Sequence, residues 1–227
     1  MKKTILLIVI LWISSKCDAN QNSTFQEPGG IEIVIPDEES NDPGEIVDGE
    51  KNSDFLIEGP IFTVSYNEVY EQPNWIEYQV RDIVKVADRD GMQFYEVDSV
   101  HTSDNDDYYN NVWDRGHLAP AGSFTDSYDN LFATFSFLNC TLQKDQLNRG
   151  EWNQLESQAR AWAASYGTLK VRIELHFDEG HQVLPTDAHI PSAYTKKITF
   201  PDGSIRCFTF PNTDTNQDWE DYEVDCN

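Results

Sequence analysis

Basic residues are scarce in this chain. Its 227 residues hold 16 Lys and Arg against 40 Asp and Glu, a formal charge of -24 at pH 7. Binding nucleic acid through a broad basic face depends on cations that displace counterions from phosphate, and this composition excludes such a face. Long apolar runs are missing too. The run Ile5 to Ile13 falls well short of the roughly 20 residues that span a bilayer. Cysteine numbers four, and a chain of this length can bury a core without staples. No internal repeat is present. Ser123 follows Gly122, but Gly-x-Ser-x-Gly is absent, so no nucleophile elbow is indicated. His176 and His181 have no cysteine pair beside them, which argues against a zinc site. Asp104 to Asp107 lacks the glycine and closing glutamate of a calcium loop.

What is present is unevenly distributed. Aromatics make up 12% of the chain, enough to argue against a wholly disordered polymer. Residues 59–110 and 173–227 each hold 11 acids against three bases, whereas 111–172 holds six of each. A neutral block thus lies inside an acidic domain. Lys2 and Lys3 before the apolar run, with Cys17-Asp18-Ala19 after it, read as an export signal over 1–19. Cys17 is the alternative reading there, as a lipid-anchor site. Residues 20–58 hold 11 acids, Pro28-Gly29-Gly30 and Pro43-Gly44, and read as an acidic disordered linker. The folded domain is placed at 59–227. Export permits disulfides. Of Cys140, Cys207 and Cys226, the last two are the expected pair, with free thiols as the other reading. Asn22-Ser23-Thr24 and Asn139-Cys140-Thr141 are glycosylation sequons.

Within the folded part, alternation predicts strands over 61–66, 75–84, 168–177, 196–200 and 205–210, with a short aromatic one over 134–138. Leu147, Trp152, Leu155, Ala159, Trp162 and Tyr166 recur at mostly helical spacing and predict one helix over 145–166, capped by Gly167. Strands on either side of a long helix indicate an α+β fold, an antiparallel sheet flanked by helices. The terminal acids Asp218 to Asp225 read as a solvated tail.

Chemistry concentrates in the neutral block. It holds Asp114-Arg115-Gly116-His117-Leu118-Ala119-Pro120-Ala121, then Asn139 and Gln143, then Asn148-Arg149-Gly150-Glu151-Trp152 and Glu156. Cleaving a phosphodiester needs a base for water, positive charge on the non-bridging oxygens and a Lewis acid for the leaving oxygen. His117 has the chemistry of the base, Arg115 that of a phosphate clamp. Asn148 and Glu156 are hard oxygen donors suited to Mg²⁺ and its waters. On a straight helix they sit about 80° and about 12 Å apart. Other readings stand beside these: Asn148 as a helix cap with Glu151, Glu156 as a surface charge paired with Arg160, Arg115 as a salt-bridge partner, Arg149 as substrate contact or helix surface.

This pattern resembles the DNA/RNA non-specific endonucleases. The similarity rests on Asp114 to His117 with the Ala-Pro-Ala that follows, and on Asn139, Gln143, Asn148, Trp152 and Glu156. It extends more weakly over about residues 60–215. Ser123, Leu138 and Leu142 depart from the family's usual residues. The resemblance implies a ββα-metal (His-Me) finger, with His117 as general base and Asn148 as direct ligand of one Mg²⁺ (or Mn²⁺). It implies that Asn139 orients the site, Glu156 holds the metal's waters, and Arg115 contacts phosphate or stabilises the site. Arg89 takes the place of the family's upstream arginine. The expected activity is Mg²⁺-dependent hydrolysis of DNA and RNA outside the cytoplasm, leaving 5′-phosphates. The competing classes are a non-catalytic exported binding module and a secreted toxin. The acidity around His117 predicts a raised imidazole pKa.

Overall fold

The computed structural model describes residues 51–226, and the backbone of 24–26 and 32–34. The export signal, Cys17, the Asn22 sequon and most of the expected linker lie outside the described residues. The strands are β1 (Thr24–Gln26), β2 (Glu32–Val34), β3 (Phe55–Glu58), β4 (Phe62–Asn67), β5 (Gln72–Val80), β6 (Trp113–His117), β7 (Cys140–Lys144), β8 (Leu169–His176), β9 (Ala193–Thr199), β10 (Ile205–Pro211) and β11 (Glu223–Val224). Nine of them form one antiparallel sheet in the order β1-β2-β3-β4-β5-β8-β9-β10-β11. β6 and β7 form a separate antiparallel ribbon. The class is α+β, as the pattern of elements indicates.

Period-two patterning explains the sheet. In β8, Leu169, Val171, Ile173 and Leu175 are buried, alternating with Lys170, Arg172 and Glu174. In β9 the inward set is Tyr194, Lys196 and Ile198. Helix α3 (Asn153–Tyr166) lays Leu155, Ala159 and Ala163 against β5 and β8, residues four apart on one helical face. Gly167, at φ +100°, ends the helix where only glycine is comfortable.

Several expectations change. The helix expected over 145–166 is in pieces: a turn, α2 (Asp145–Leu147), a wider turn over Asn148–Trp152 interrupted at Gly150, then α3. Gly150 leaves helical geometry at φ -99°, ψ -114°, so the straight-helix spacing of Asn148 and Glu156 does not apply. Residues 134–138 are not a strand. They follow a short helix, α1 (Tyr128–Ala133), and lead into a 3₁₀ turn over Phe137–Asn139. Their aromatics are buried by core insertion rather than by pairing in a sheet. The linker reading is corrected at its end: Phe55–Glu58 pairs with β4, and Ile57 is fully buried. The terminal acids are not a free tail. β11 pairs with β10, Glu223 takes two bonds from Arg206 (2.7 and 2.6 Å), and Cys207–Cys226 closes as the expected disulfide. No helix among the described residues is long and apolar enough to cross a membrane.

Candidate active site

The β6–β7 ribbon carries the Asp-Arg-Gly-His motif in register: Asp114 opposite Gln143, Arg115 opposite Leu142, Gly116 opposite Thr141, His117 opposite Cys140. Strand alternation therefore puts Arg115 and His117 on one side. Gly116 makes the pairing close. A Cβ there would sit 2.4 Å from Oε1 and 2.6 Å from Cβ of Gln143.

His117 is held between two rings. Phe94 lies at 4.9 Å and Phe135 at 5.0 Å between centroids, the latter edge-on at 87°. Nε2 is buried and has no hydrogen-bond partner among the described residues. Burial, and then the positive charge of Arg89, push the imidazole down from 6.5 to about 4. The expected upward shift is thus reversed. The chain's net charge is negative, but what surrounds this ring is apolar surface and a guanidinium.

Asn139 is fully buried and locks the backbone that follows His117. Its Oδ1 accepts from Ala119 N (2.7 Å), and its Nδ2 donates to Ala119 O (2.9 Å) and Thr134 O (2.8 Å). That amide has no face left for a glycan, so the sequon at Asn139 is spent on structure. Trp152 is buried beneath the ribbon, and its indole N–H donates to the His117 carbonyl at 3.3 Å.

Asn148 is neither the N-cap of the following turn nor free. Its Nδ2 donates to Asp114 Oδ2 at 2.9 Å, which leaves Oδ1 as the amide's ligating atom at the cleft. Arg149 forms a two-pronged pair with the same carboxylate, Nε at 2.8 Å and Nη2 at 2.6 Å. Of the two readings of Arg149, substrate contact or helix surface, the structure adds that its fork is engaged by Asp114 while it lines the cleft. Arg115 is held by an amide rather than an acid. Its Nη2 donates to Asn105 Oδ1 at 2.9 Å, and its guanidinium lies 5.0 Å over Tyr108. Glu156 is half-buried, and burial raises its pKa against the pull of Lys196 and Arg160. Arg160 donates to Ser157 Oγ at 2.8 Å and makes no ion pair with Glu156 among the described residues.

These side chains converge. A cleft of about 490 Å³ is lined by Arg89, Phe94, Arg115, His117, Asn148, Arg149, Glu156 and Arg160, with Pro120 to Gly122 along one wall. Arg89 and Phe94 arrive on the long irregular segment between β5 and β6. The reading from sequence missed Phe94, Phe135 and the role of Asp114. The alternation of aromatics around 132–137 was the only signal for Phe135. His176 and His181 stand apart from the cleft: one bonds Thr195 Oγ1, the other His189.

The donor set fits a hard cation. Among the described residues no three His, Cys, Asp or Glu side chains converge as a metal cage. One amide oxygen and one carboxylate at a solvated cleft suit an ion that keeps most of its waters, as Mg²⁺ does.

The family model described as DNA/RNA non-specific endonuclease matches residues 44–227. Mitochondrial endonuclease G of Homo sapiens is 35% identical over 102 residues, 43% of this chain and 34% of that protein. Mitochondrial nuclease EXOG of Danio rerio is 31% identical over 113 residues, 48% of this chain and 33% of the relative. The chain thus spans about a third of the length of these mitochondrial relatives. Nuclease C1 of Cunninghamella echinulata var. echinulata is 29% identical over 181 residues, covering 70% and 71% of the two chains. The crystal structure of the EndoG/EndoGI complex superposes with a TM-score of 0.68 at 24% identity, over 76% of this chain and 80% of that one; at that identity it speaks for the fold alone. With a family match across most of its length, and the ribbon, kinked helix and cleft in place, this chain belongs to the DNA/RNA non-specific endonuclease family.

Proposed function

We propose that the chain is an exported, Mg²⁺-dependent endonuclease that hydrolyses phosphodiester bonds of DNA and RNA. The observation that carries this reading is the convergence of His117, Asn148, Glu156 and four arginines, Arg89, Arg115, Arg149 and Arg160, on one cleft. A neutral imidazole is what a general base must be, and the burial of His117 keeps it neutral at physiological pH. His117 takes the proton of the attacking water. Arg89 and Arg160 face the phosphate and offset charge on its non-bridging oxygens. Asp114 fixes the Asn148 amide and leaves Oδ1 as its ligating atom, and Glu156 orients water at the cleft floor. Asn148 would hold Mg²⁺ and Glu156 its waters, and the ion would supply Lewis-acid stabilisation of the leaving oxygen. Lys2, Lys3 and the apolar run support export, and the Cys207–Cys226 disulfide is of the kind that persists in oxidising compartments.

The test is a gel assay on plasmid and RNA with purified mature protein, with Mg²⁺ and with chelator. Cleavage that stops with chelator and with His117→Ala, at unchanged circular dichroism, is the expected result. Intact substrates in Mg²⁺ would sink the enzymatic reading and leave a binding module.

A further inference from the structure

Lys196 stands at a core position. It is 1% exposed, on the inward face of β9 between Tyr194 and Ile198, where strand patterning calls for an apolar residue. The buried carboxylates Glu68, Glu71 and Glu151 all have partners: backbone N–H groups for Glu68, Lys51 and His101 for Glu71, Thr215 for Glu151. The Lys196 ammonium has no hydrogen-bond partner among the described residues. It sits instead 3.5 Å over the ring of Trp152. An unpartnered buried ammonium is strongly disfavoured, so its presence demands a compensating group.

That group is at the cleft. Trp152 lies one helical turn before Glu156, and its indole N–H donates to the His117 carbonyl at 3.3 Å. Glu156 is the carboxylate that Lys196 attracts, while Arg160 opposes the ammonium from the cleft side. A cation on the face of an indole withdraws electron density and strengthens its N–H as a donor. We propose that Lys196 is a positioning residue of the nuclease site: its buried charge, seated on Trp152, holds the Glu156 carboxylate and, through the indole, the His117 backbone in working geometry. The assignment rests on the nuclease reading above, because it acts through Glu156.

The experiment is a double-mutant cycle of Lys196→Met, close in shape and uncharged, with Glu156→Gln. K196M should keep its circular dichroism and melt no lower than the wild type, since it removes an unpaired buried charge. Its kcat should fall about 10–100-fold, the usual penalty for losing a group that orients a metal's ligands, with KM for DNA unchanged. Mn²⁺ affinity, read by electron paramagnetic resonance without substrate, should weaken together with kcat. In the E156Q background K196M should cost nothing further. If K196M does not fold, K196Q is read in the same cycle. A K196M enzyme at wild-type kcat, or losses that multiply in the double variant, overturns the assignment to Lys196 alone. Uncut DNA and RNA with the wild-type protein, or E156Q at wild-type rate, overturns the functional reading beneath it.

Discussion

Protonation of His117 offers the sharpest quantitative test. An ordinary imidazole, at 6.5, would be about 3% neutral at pH 5; one pushed down to about 4 is about 90% neutral there. The two cases differ about 30-fold in neutral imidazole, and so in rate if His117 is the base proposed above. The activity of the folded enzyme on a short chromogenic diester should therefore hold near its neutral-pH level down to about pH 5. Glu156, raised by burial, adds an acid limb of its own, so the imidazole should also be followed directly by NMR with ¹³C-labelled histidine. Stability carries the same signature. The folded imidazole titrates near 4 and the unfolded one near 6.5, so the unfolded chain binds more protons between these values. The contribution is complete above about pH 6.5 and is lost as pH falls toward 4, about 3 kcal/mol in all. Urea unfolding of His117→Ala should lack that component. An imidazole titrating at 6.5 in the folded protein, with an activity limb to match, would refute the argument from burial and Arg89.

Three further outcomes follow from particular contacts. Gly116→Ala drives a Cβ into Gln143 and should lose about 1–3 kcal/mol of stability, read by thermal melting, together with most activity; an unperturbed variant would mean the ribbon opens freely. Asp114→Asn should lower kcat about 10–100-fold by releasing the Asn148 amide, whereas Arg149→Ala, removing one exposed ion pair, should shift stability by only about 0.2–1 kcal/mol. Steady-state kinetics and melting separate the two, and equal loss of kcat would return Arg149 to the substrate. Replacing Cys207 and Cys226 by serine opens a loop 19 residues in span and should cost about 3 kcal/mol in denaturant unfolding.

The sequence was most legible where chemistry and period coincide. The strands β4, β8 and β10 lie within a residue or two of their expected bounds, β8 with clean alternation of buried and outward residues. The motif residues Arg115, His117, Asn148 and Glu156, with Arg89, do line one cleft. What escaped was non-local. Trp113–His117 carries few strand-forming residues, and its partner lies more than 20 residues away, so no local pattern declares the ribbon. The break at Gly150 is hidden in a convincing helical period, because the apolar spacing survives the kink. The pKa of His117 went the other way because net charge is a property of the whole chain, whereas titration answers to the nearest few ångströms. Cys140, directly opposite His117, makes the same point: burial pushes its thiol up to about 12, which keeps it protonated beside the imidazole.

The β6–β7 ribbon has a consequence for how the molecule fails. β6 and β7 are not members of the nine-stranded sheet. Cys140 and Leu142 of the ribbon pack into a smaller apolar cluster with Tyr108, Phe137, Ala188 and Ile190, while the main core spans the sheet and α3 and meets the ribbon through Trp152 and hydrogen bonds with Gln72, Tyr194 and Asn212. Cooperative units of unequal size open at unequal free energies. Inactivation should then precede global denaturation: amide exchange in 113–117 and 140–144 should be faster than in β5 and β8, and rising urea should silence the enzyme while its sheet is still intact.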